Sequence, residues 1–368
     1  MTKPTRIVFL YGYMWSEREA VAKAIHELAA ALCHENDADI ELRGIEKQRI
    51  VEASSSMSTK LRRLASETRF ALSALAYTLR HRSRIQAIVS IDIPSGIGYV
   101  GSLARRATKG RIVDIAWVMD LYRAGNVPPS IRGRLEISAL RSAGKVITIG
   151  SCMSRLLLER FEVRSGVIPL WHESLDLISE HAESLPTPTK PLRVLYSGSA
   201  RAIHPLDALV RATDEMRRTT TLDLVGSGTE MVASQVTAEK LHSPNVRIRS
   251  RLANEEFAKA VSEADVHVVS LDEAATGTCV PSKAYAAMAA GKPILYLGSE
   301  DGQAARDIAE AQCGFVVATT DKGGIVAALQ RYADSPELRR VHGVNAARFH
   351  AKRRTVRAAV PLWLEELS

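Results

Sequence analysis

The stretch TGTCVPSKAYAAMAAGKPILYLG, Thr276 to Gly298, reads as a loop, a short helix and then a buried strand. Pro281 suits an early helical position, where its missing N–H costs nothing. Ser282, Lys283 and the unbonded N–H groups of that first turn then face whatever lies beyond the strand ends, and the helix dipole adds positive potential there. That outlines an anion site. The plain alternative is a serine cap followed by a solvated lysine.

On either side of this segment the pattern repeats. RVLYSG, TTLDLVGSG, NVRIRSRL, DVHVVSL, PILYLG and GFVVAT are strand-like, and PLDALVRATDEM, NEEFAKAVSEA, QAARDIAEAQ and GGIVAALQRYA lie between them as helices. Short β-branched runs separated by helices predict a parallel sheet covered on both faces. Upstream, ISEHAESLPTPTKPLR cannot continue a helix through Pro186, Pro188 and Pro191 and reads as a linker. Before it, RIVFLYG, a helix from about Ser16 to Cys33, DIELRGI, IQAIVSID, the helix YVGSLARRA, RIVDIAWVMD and KVITIG form a second alternating series.

The expected organisation is α/β, with two doubly wound parallel-sheet domains: 1–175, a linker at 176–192, 193–350, and a final amphipathic segment at 351–368. Ligands of such sheets bind beyond the carboxyl ends of the strands, so two units facing each other would place those loops around one cleft.

Bulk properties agree with a folded protein. At 368 residues two domains are expected, and 46% apolar with 24% charged residues is ordinary. A net charge of +8 favours an anionic partner. Cys33, Cys152, Cys279 and Cys313 are scattered, without metal-finger spacing, and read as reduced thiols of a cytoplasmic protein. No run is long and apolar enough for a spanning helix or a signal peptide. From Lys60 to Arg84, Leu61, Leu64, Leu72, Leu75 and Leu79 fall near one helical face, with Arg62, Arg63, Arg69, Arg80, Arg82 and Arg84 elsewhere. Such a helix either packs its leucines on the first core or lies peripherally on an anionic membrane. Nucleic acid is not expected as a partner, because aromatics are only 5% of the chain and none is interleaved on a basic face.

VPSKAYAAMAAGKPILYLGSEDGQAARDIAEAQCGFVV resembles the C-terminal signature of bacterial glycosyltransferase family 4, which has two Rossmann-like domains in the GT-B fold. WVMDLY (117–122), VIPLWHE (167–173) and VLYSGSARAIH (194–204) are similar to further segments of that family, in the expected order. The resemblance implies a hexosyltransferase-type enzyme that transfers a sugar from a nucleotide-sugar donor with retention. No metal or other cofactor is implied. The acceptor would be a sugar or lipid-linked sugar in envelope or exopolysaccharide biosynthesis. It also implies that the last helix crosses back to the first domain.

The resemblance carries roles onto particular positions. Lys283 and Ser282 would stabilise the leaving diphosphate, Arg201 would supply the charge that many relatives place at the positions of Ser199 and His204, and Asp120 would orient the acceptor hydroxyl. Gly12, Ser199, His204 and Leu252 would line the donor or the nearby backbone. Many relatives carry two glutamates eight residues apart, the second of which holds the ribose; here those positions are Thr278 and Ala286, leaving Asp301, Gly302 and Gln303 as substitutes. The lost carboxylates keep a catalytically silent scaffold open as an alternative, and a nucleotide-sugar epimerase is the rival enzyme. GIGYVG, Gly96 to Gly101, matches a dinucleotide pattern but does not lie in the opening turn of its unit. Its glycines are expected instead to let the backbone approach the acceptor.

Overall fold

The computed structural model describes residues 6–12, 20–36, 38–44, 57–91, 97–121, 131–173 and 191–368. The chain divides into two compact units. Unit 1 comprises Met1–Leu170, Gly277–Cys279 and Val356–Ser368; unit 2 comprises Trp171–Thr276 and Val280–Thr355.

Unit 1 holds strands β1 (Arg6–Leu10), β2 (Asp39–Arg43), β3 (Ile85–Ile91), β4 (Val113–Val118), β5 (Lys145–Thr148) and β6 (Gly166–Val167). They form one sheet in the order β2-β1-β3-β4-β5-β6, and every pair is parallel. Its helices are α1 (Ala20–Asn36), α2 (Met57–His81), α3 (Ile97–Ala107), α4 (Ile131–Ser142) and α5 (Ser151–Phe161). Val8, Leu10, Ile85 and Ile88 of the strands pack with Phe70 and Ala74 of α2 and Ile97, Val100 and Ala104 of α3.

Two sequence expectations are corrected here. The buried face of α2 runs through Glu67, Phe70, Ala74 and Thr78, not through the leucines. Leu72 stands about 200° round the helix from Phe70, two residues at ~100° each, and is 63% exposed, while Leu75 packs partly on the core. The side chains of Leu61, Leu64, Arg62 and Arg63 lie outside the described residues. In GIGYVG, Gly96 is also outside them, whereas Gly98 and Gly101 sit inside α3 rather than in a turn. A Cβ on Gly101 would stand 2.0 Å from Asp114 Oδ1, so this glycine serves the packing of α3 on β4.

Unit 2 alternates regularly: β7 (Leu192–Ser199), α6 (Asp207–Glu215), β8 (Thr220–Ser227), α7 (Thr229–Lys240), β9 (Val246–Arg249), α8 (Asn254–Glu263) and β10 (Val266–Ser270). A 3-10 turn at Glu273–Ala275 leads to α9 (Lys283–Ala289), β11 (Ile294–Leu297), α10 (Gln303–Ala311), β12 (Gly314–Val317), α11 (Lys322–Asp334) and α12 (Pro336–Arg353). The parallel sheet has the order β12-β11-β10-β7-β8-β9. Strand order therefore reverses between β7 and β10, where a doubly wound sheet opens a crevice at its carboxyl edge. One face is filled by Val194, Tyr196, Leu209, Leu222, Val268, Leu295 and Leu329, the other by Leu195, Val225, Val261 and Ala264.

Most of the proline-rich segment lies outside the described residues, and Leu192 already belongs to β7. The last helix, α13 (Val356–Leu367), belongs to unit 1, where Trp363 meets Trp117 edge-on with ring centroids 4.7 Å apart. Lys145 and Gln86 donate to the carbonyls of Glu366 and Leu367 at its end. Among the described residues no helix is long and apolar enough to cross a membrane.

Candidate functional site

The carboxyl ends of β7 and β10 bring together residues far apart in sequence. Lys283 opens α9, and its ammonium donates to the Tyr196 hydroxyl and to the Ser199 carbonyl, both at 2.7 Å. It also lies 4.5 Å from the Tyr196 ring centroid. Tyr196 donates to the same carbonyl at 3.1 Å, and burial, reinforced by the Glu230 carboxylate, pushes its phenol well above the usual range. Tyr196 therefore stays protonated, and the lysine is positioned by two neutral oxygens. The lysine stem crosses Gly198, where a Cβ would stand 2.7 Å from Lys283 Cε and φ is +113°. Glycine is needed on both counts.

The neighbouring strand end is equally tight. A Cβ on Gly226, φ +148°, would stand 2.0 Å from the Gly198 carbonyl oxygen, and one on Gly228, φ +124°, 2.1 Å from that of Ala200. Hydrogen bonds lace the two turns, from Ala200 N–H to the Ser227 carbonyl and from Glu230 N–H to the Ala200 carbonyl. The loop after β7 is then pinned to β10 and the residues beyond it by Asp272 N–H to the Ile203 carbonyl and Ser270 Oγ to the Pro205 carbonyl.

Within that loop, Arg201 is exposed and its N–H donates to His204 Nδ1 at 3.3 Å. Burial, then the charges of Lys283 and Arg201, depress His204 to about 3. The imidazole is accordingly neutral, with Nδ1 as acceptor and its proton on Nε2. Lys283, Ser199 and His204 thus converge, with the exposed Arg201 on the same loop near enough to act electrostatically on His204. Such a set can hold an anion: one anchored cation, a second on the adjoining loop, a neutral donor and a backbone kept free of side-chain bulk.

The other predicted residues have separate settings. Ser282 is the N-cap of α9 but makes no side-chain cap bond. Leu252 packs, partly buried, against the cluster of Leu195, Val225, Val261 and Ala264. Asp301 pairs with Arg306 at 3.0 Å, Gly302 caps α10 with extended backbone, and the Gln303 amide donates to buried Asp307 at 2.9 Å. Asp307 also accepts from Tyr285 at 2.8 Å and from buried Arg354 at 2.6 Å, so Gln303 completes a buried polar network. In unit 1, Gly12 is buried just after β1, and Asp120, half-buried after β4, forms an isolated antiparallel bridge with Cys279. Thr278 is buried and accepts the Leu121 N–H at 2.6 Å. Sequence reasoning missed Tyr196 and Gly226, which sit in runs read only as strand and turn. Among the described residues no group of three or more His, Cys, Asp or Glu could hold a metal ion.

Residues 191–335 match the family model described as Glycosyl transferases group 1. Comparison with curated protein sequences finds no match. Solved structures similar to the chain include sucrose-phosphate synthase from Thermosynechococcus elongatus, at 18% identity and a TM-score of 0.72 with 98% of each chain covered. The Anabaena protein HepE, in complex with UDP and glucose, is 14% identical with a TM-score of 0.66 over 99% of each chain. The lipopolysaccharide outer core galactosyltransferase WaaB is 13% identical with a TM-score of 0.69, again over 99% of each. Two six-stranded parallel sheets with flanking helices are the GT-B architecture of these neighbours.

Proposed function

We propose that this protein is a retaining, metal-independent glycosyltransferase moving a sugar from a nucleotide diphosphate donor to the hydroxyl of a sugar or lipid-linked sugar in envelope or exopolysaccharide assembly. The observation that carries the reading is the Lys283 ammonium held over Gly198 at the β7/β10 reversal by Tyr196 and Ser199. The group 1 family match across 191–335 and the UDP found with HepE support a nucleotide-sugar donor.

The chemistry needs what this site offers. When the anomeric C–O bond breaks, its electron pair leaves with the diphosphate, and preorganised cations lower the barrier by several kcal/mol. Lys283 and Arg201 supply that charge. Retention follows if the acceptor oxygen attacks the same face, its proton passing to the departing phosphate oxygen, so no separate base is required. Asp120 would then orient the acceptor hydroxyl.

A second reading, a scaffold that binds nucleotide sugar without transfer, draws on Thr278 and Ala286 and on the intramolecular bonds of Asp301 and Gln303. A thermal-shift screen against uridine, guanosine, thymidine and adenosine diphosphate sugars, followed by assay of nucleotide release, separates the two. Transfer predicts release that Lys283→Ala lowers by roughly a hundredfold or more, with unfolding little changed. Binding without release points to the scaffold, and isomerised sugar still attached to nucleotide points to an epimerase. No binding to any donor ends the proposal.

A further inference from the structure

We propose that the Tyr196 hydroxyl is the pivot on which the Lys283 ammonium turns from the Ser199 carbonyl to a phosphate oxygen, which makes Tyr196 a positioning residue of the anion site. The pivot presupposes the diphosphate site described above and adds how its cation is handed to the ligand.

Three hydrogen bonds close a ring. The ammonium donates to the Tyr196 hydroxyl and to the Ser199 carbonyl, both at 2.7 Å, and the hydroxyl donates to that same carbonyl at 3.1 Å. Tyr196 is fully buried in β7, within the cluster that includes Val194, Leu209 and Leu222. Lys283 is only half-buried, and the end of its stem passes Gly198, which has no side chain to obstruct it. One partner is thus fixed by the core, whereas the other can turn at its tip.

An ammonium carries three N–H donors, and two of them go here to neutral protein oxygens. A diphosphate presents several anionic oxygens, and a bond from the ammonium to one of these is stronger than a bond to a carbonyl. Taking the diphosphate with two donors therefore means giving up one protein partner. Leaving Tyr196 would forfeit both its hydroxyl and its ring, whose centroid lies 4.5 Å from Nζ. Leaving Ser199 forfeits a single bond. The abandoned carbonyl would then turn its negative end towards the bound anion, and the hydrogen bond that it keeps from Tyr196 offsets that repulsion. Without the hydroxyl, Ser199 would hold the ammonium back. The ring of three bonds is accordingly a resting state, with Ser199 the partner that yields.

Trace acetylation of the full chain with acetic anhydride, resolved by peptide mass spectrometry, tests the pivot. Y196F keeps the ring and its packing and removes only the hydroxyl. Without ligand, Lys283 should acetylate about fivefold faster in Y196F than in the parent, the weight of one hydrogen bond. Lys292, which donates to the Ser262 carbonyl elsewhere in unit 2, serves as the internal reference and should be unchanged. Inorganic pyrophosphate should protect Lys283 in both proteins, with half-protection of Y196F at roughly tenfold higher concentration. By calorimetric titration, K283M and K283M/Y196F should bind pyrophosphate equally weakly, because Tyr196 acts through the lysine. If pyrophosphate never protects the parent, the anion site falls and the pivot with it. If the parent is protected but Y196F needs no more pyrophosphate, if Lys283 acetylates equally fast in both without ligand, or if the two substitutions weaken binding additively, the pivot alone is overturned.

Discussion

Both units lay six parallel strands side by side, but among the described residues the tightest glycine contacts fall at strand ends in unit 2 and include one inside helix α3 in unit 1. In unit 2, Gly198, Gly226, Gly228 and Gly298 take positive φ at the carboxyl ends of β7, β8 and β11. Among the described residues of unit 1, the positive-φ glycines are Gly110, in the turn before β4, and Gly277. Apolar patterning makes both sheets; close approach of backbone to backbone makes the glycine-lined turns after β7 and β8.

The largest effect should come from testing that distinction directly. Gly226→Ala would drive a Cβ to 2.0 Å from the Gly198 carbonyl oxygen and 2.8 Å from its carbon, and neither is a flexible side-chain end that can move aside. A loss on the order of 4 kcal/mol or more is expected. Gly110 also has positive φ, +84°, but nothing lies within 4 Å of its Cβ position. Gly110→Ala should suffer only the left-handed penalty, roughly 1–2 kcal/mol. Urea unfolding followed by far-UV circular dichroism compares them. Equal losses would mean that backbone conformation, rather than crowding, sets the requirement at Gly226.

The units should also respond oppositely to pH. In unit 1, burial lifts Asp114 from 3.8 to about 6, against the Gly144 N–H and the nearby Arg105, which lower it. The folded form binds the extra proton, so this stability is full below pH 3.8 and is lost as pH rises through about 6. In unit 2, burial, with nearby cations, depresses His204 and His267 from 6.5 to about 3. There the unfolded chain binds more protons, and stability declines as pH falls from 6.5 towards 3. Asp114→Asn keeps the Gly144 acceptor and removes the charge, so at pH 8 unit 1 should gain up to about 3 kcal/mol. Trp117 and Trp363 in unit 1 against Trp171 in unit 2 offer separate fluorescence reporters. A variant whose unit 1 transition moves with pH as the parent's does would refute the Asp114 assignment.

How far the sequence discloses this contrast depends on the range of the interaction. Strands such as ILYL and VHVVS are buried on both faces, so their apolar runs are legible within a few residues. Pro-Ser-Lys at the start of α9 marks Lys283 in the same local way. Tyr196 is different: in VLYSG it looks like any core aromatic, and its role depends on Lys283, 87 residues away. Gly226 reads as a turn residue until β7 is laid against β8 and Gly198 meets it. The same limit holds at Gly101, where the sequence suggests close approach of an acceptor and the structure shows instead a helix–strand contact with Asp114.

The smallest expected effects concern the loop after β11, where Asp301 and Gln303 follow the positive-φ Gly298. Asp301 is 66% exposed and its pair with Arg306 is screened, so Asp301→Ala should change stability by less than about 0.5 kcal/mol. If its carboxylate accepts from a ribose hydroxyl, nucleotide affinity should fall about fivefold, the weight of one net hydrogen bond. Gln303→Ala removes instead a donor to buried Asp307, and its loss should appear in unfolding, about 1.5 kcal/mol or more, with affinity nearly constant. Calorimetric titration of each variant with the best donor from the thermal-shift screen discriminates them. Unchanged affinity in Asp301→Ala removes that residue from ribose recognition, while a weakened Gln303→Ala with parental stability would show that its amide leaves Asp307 to meet the nucleotide.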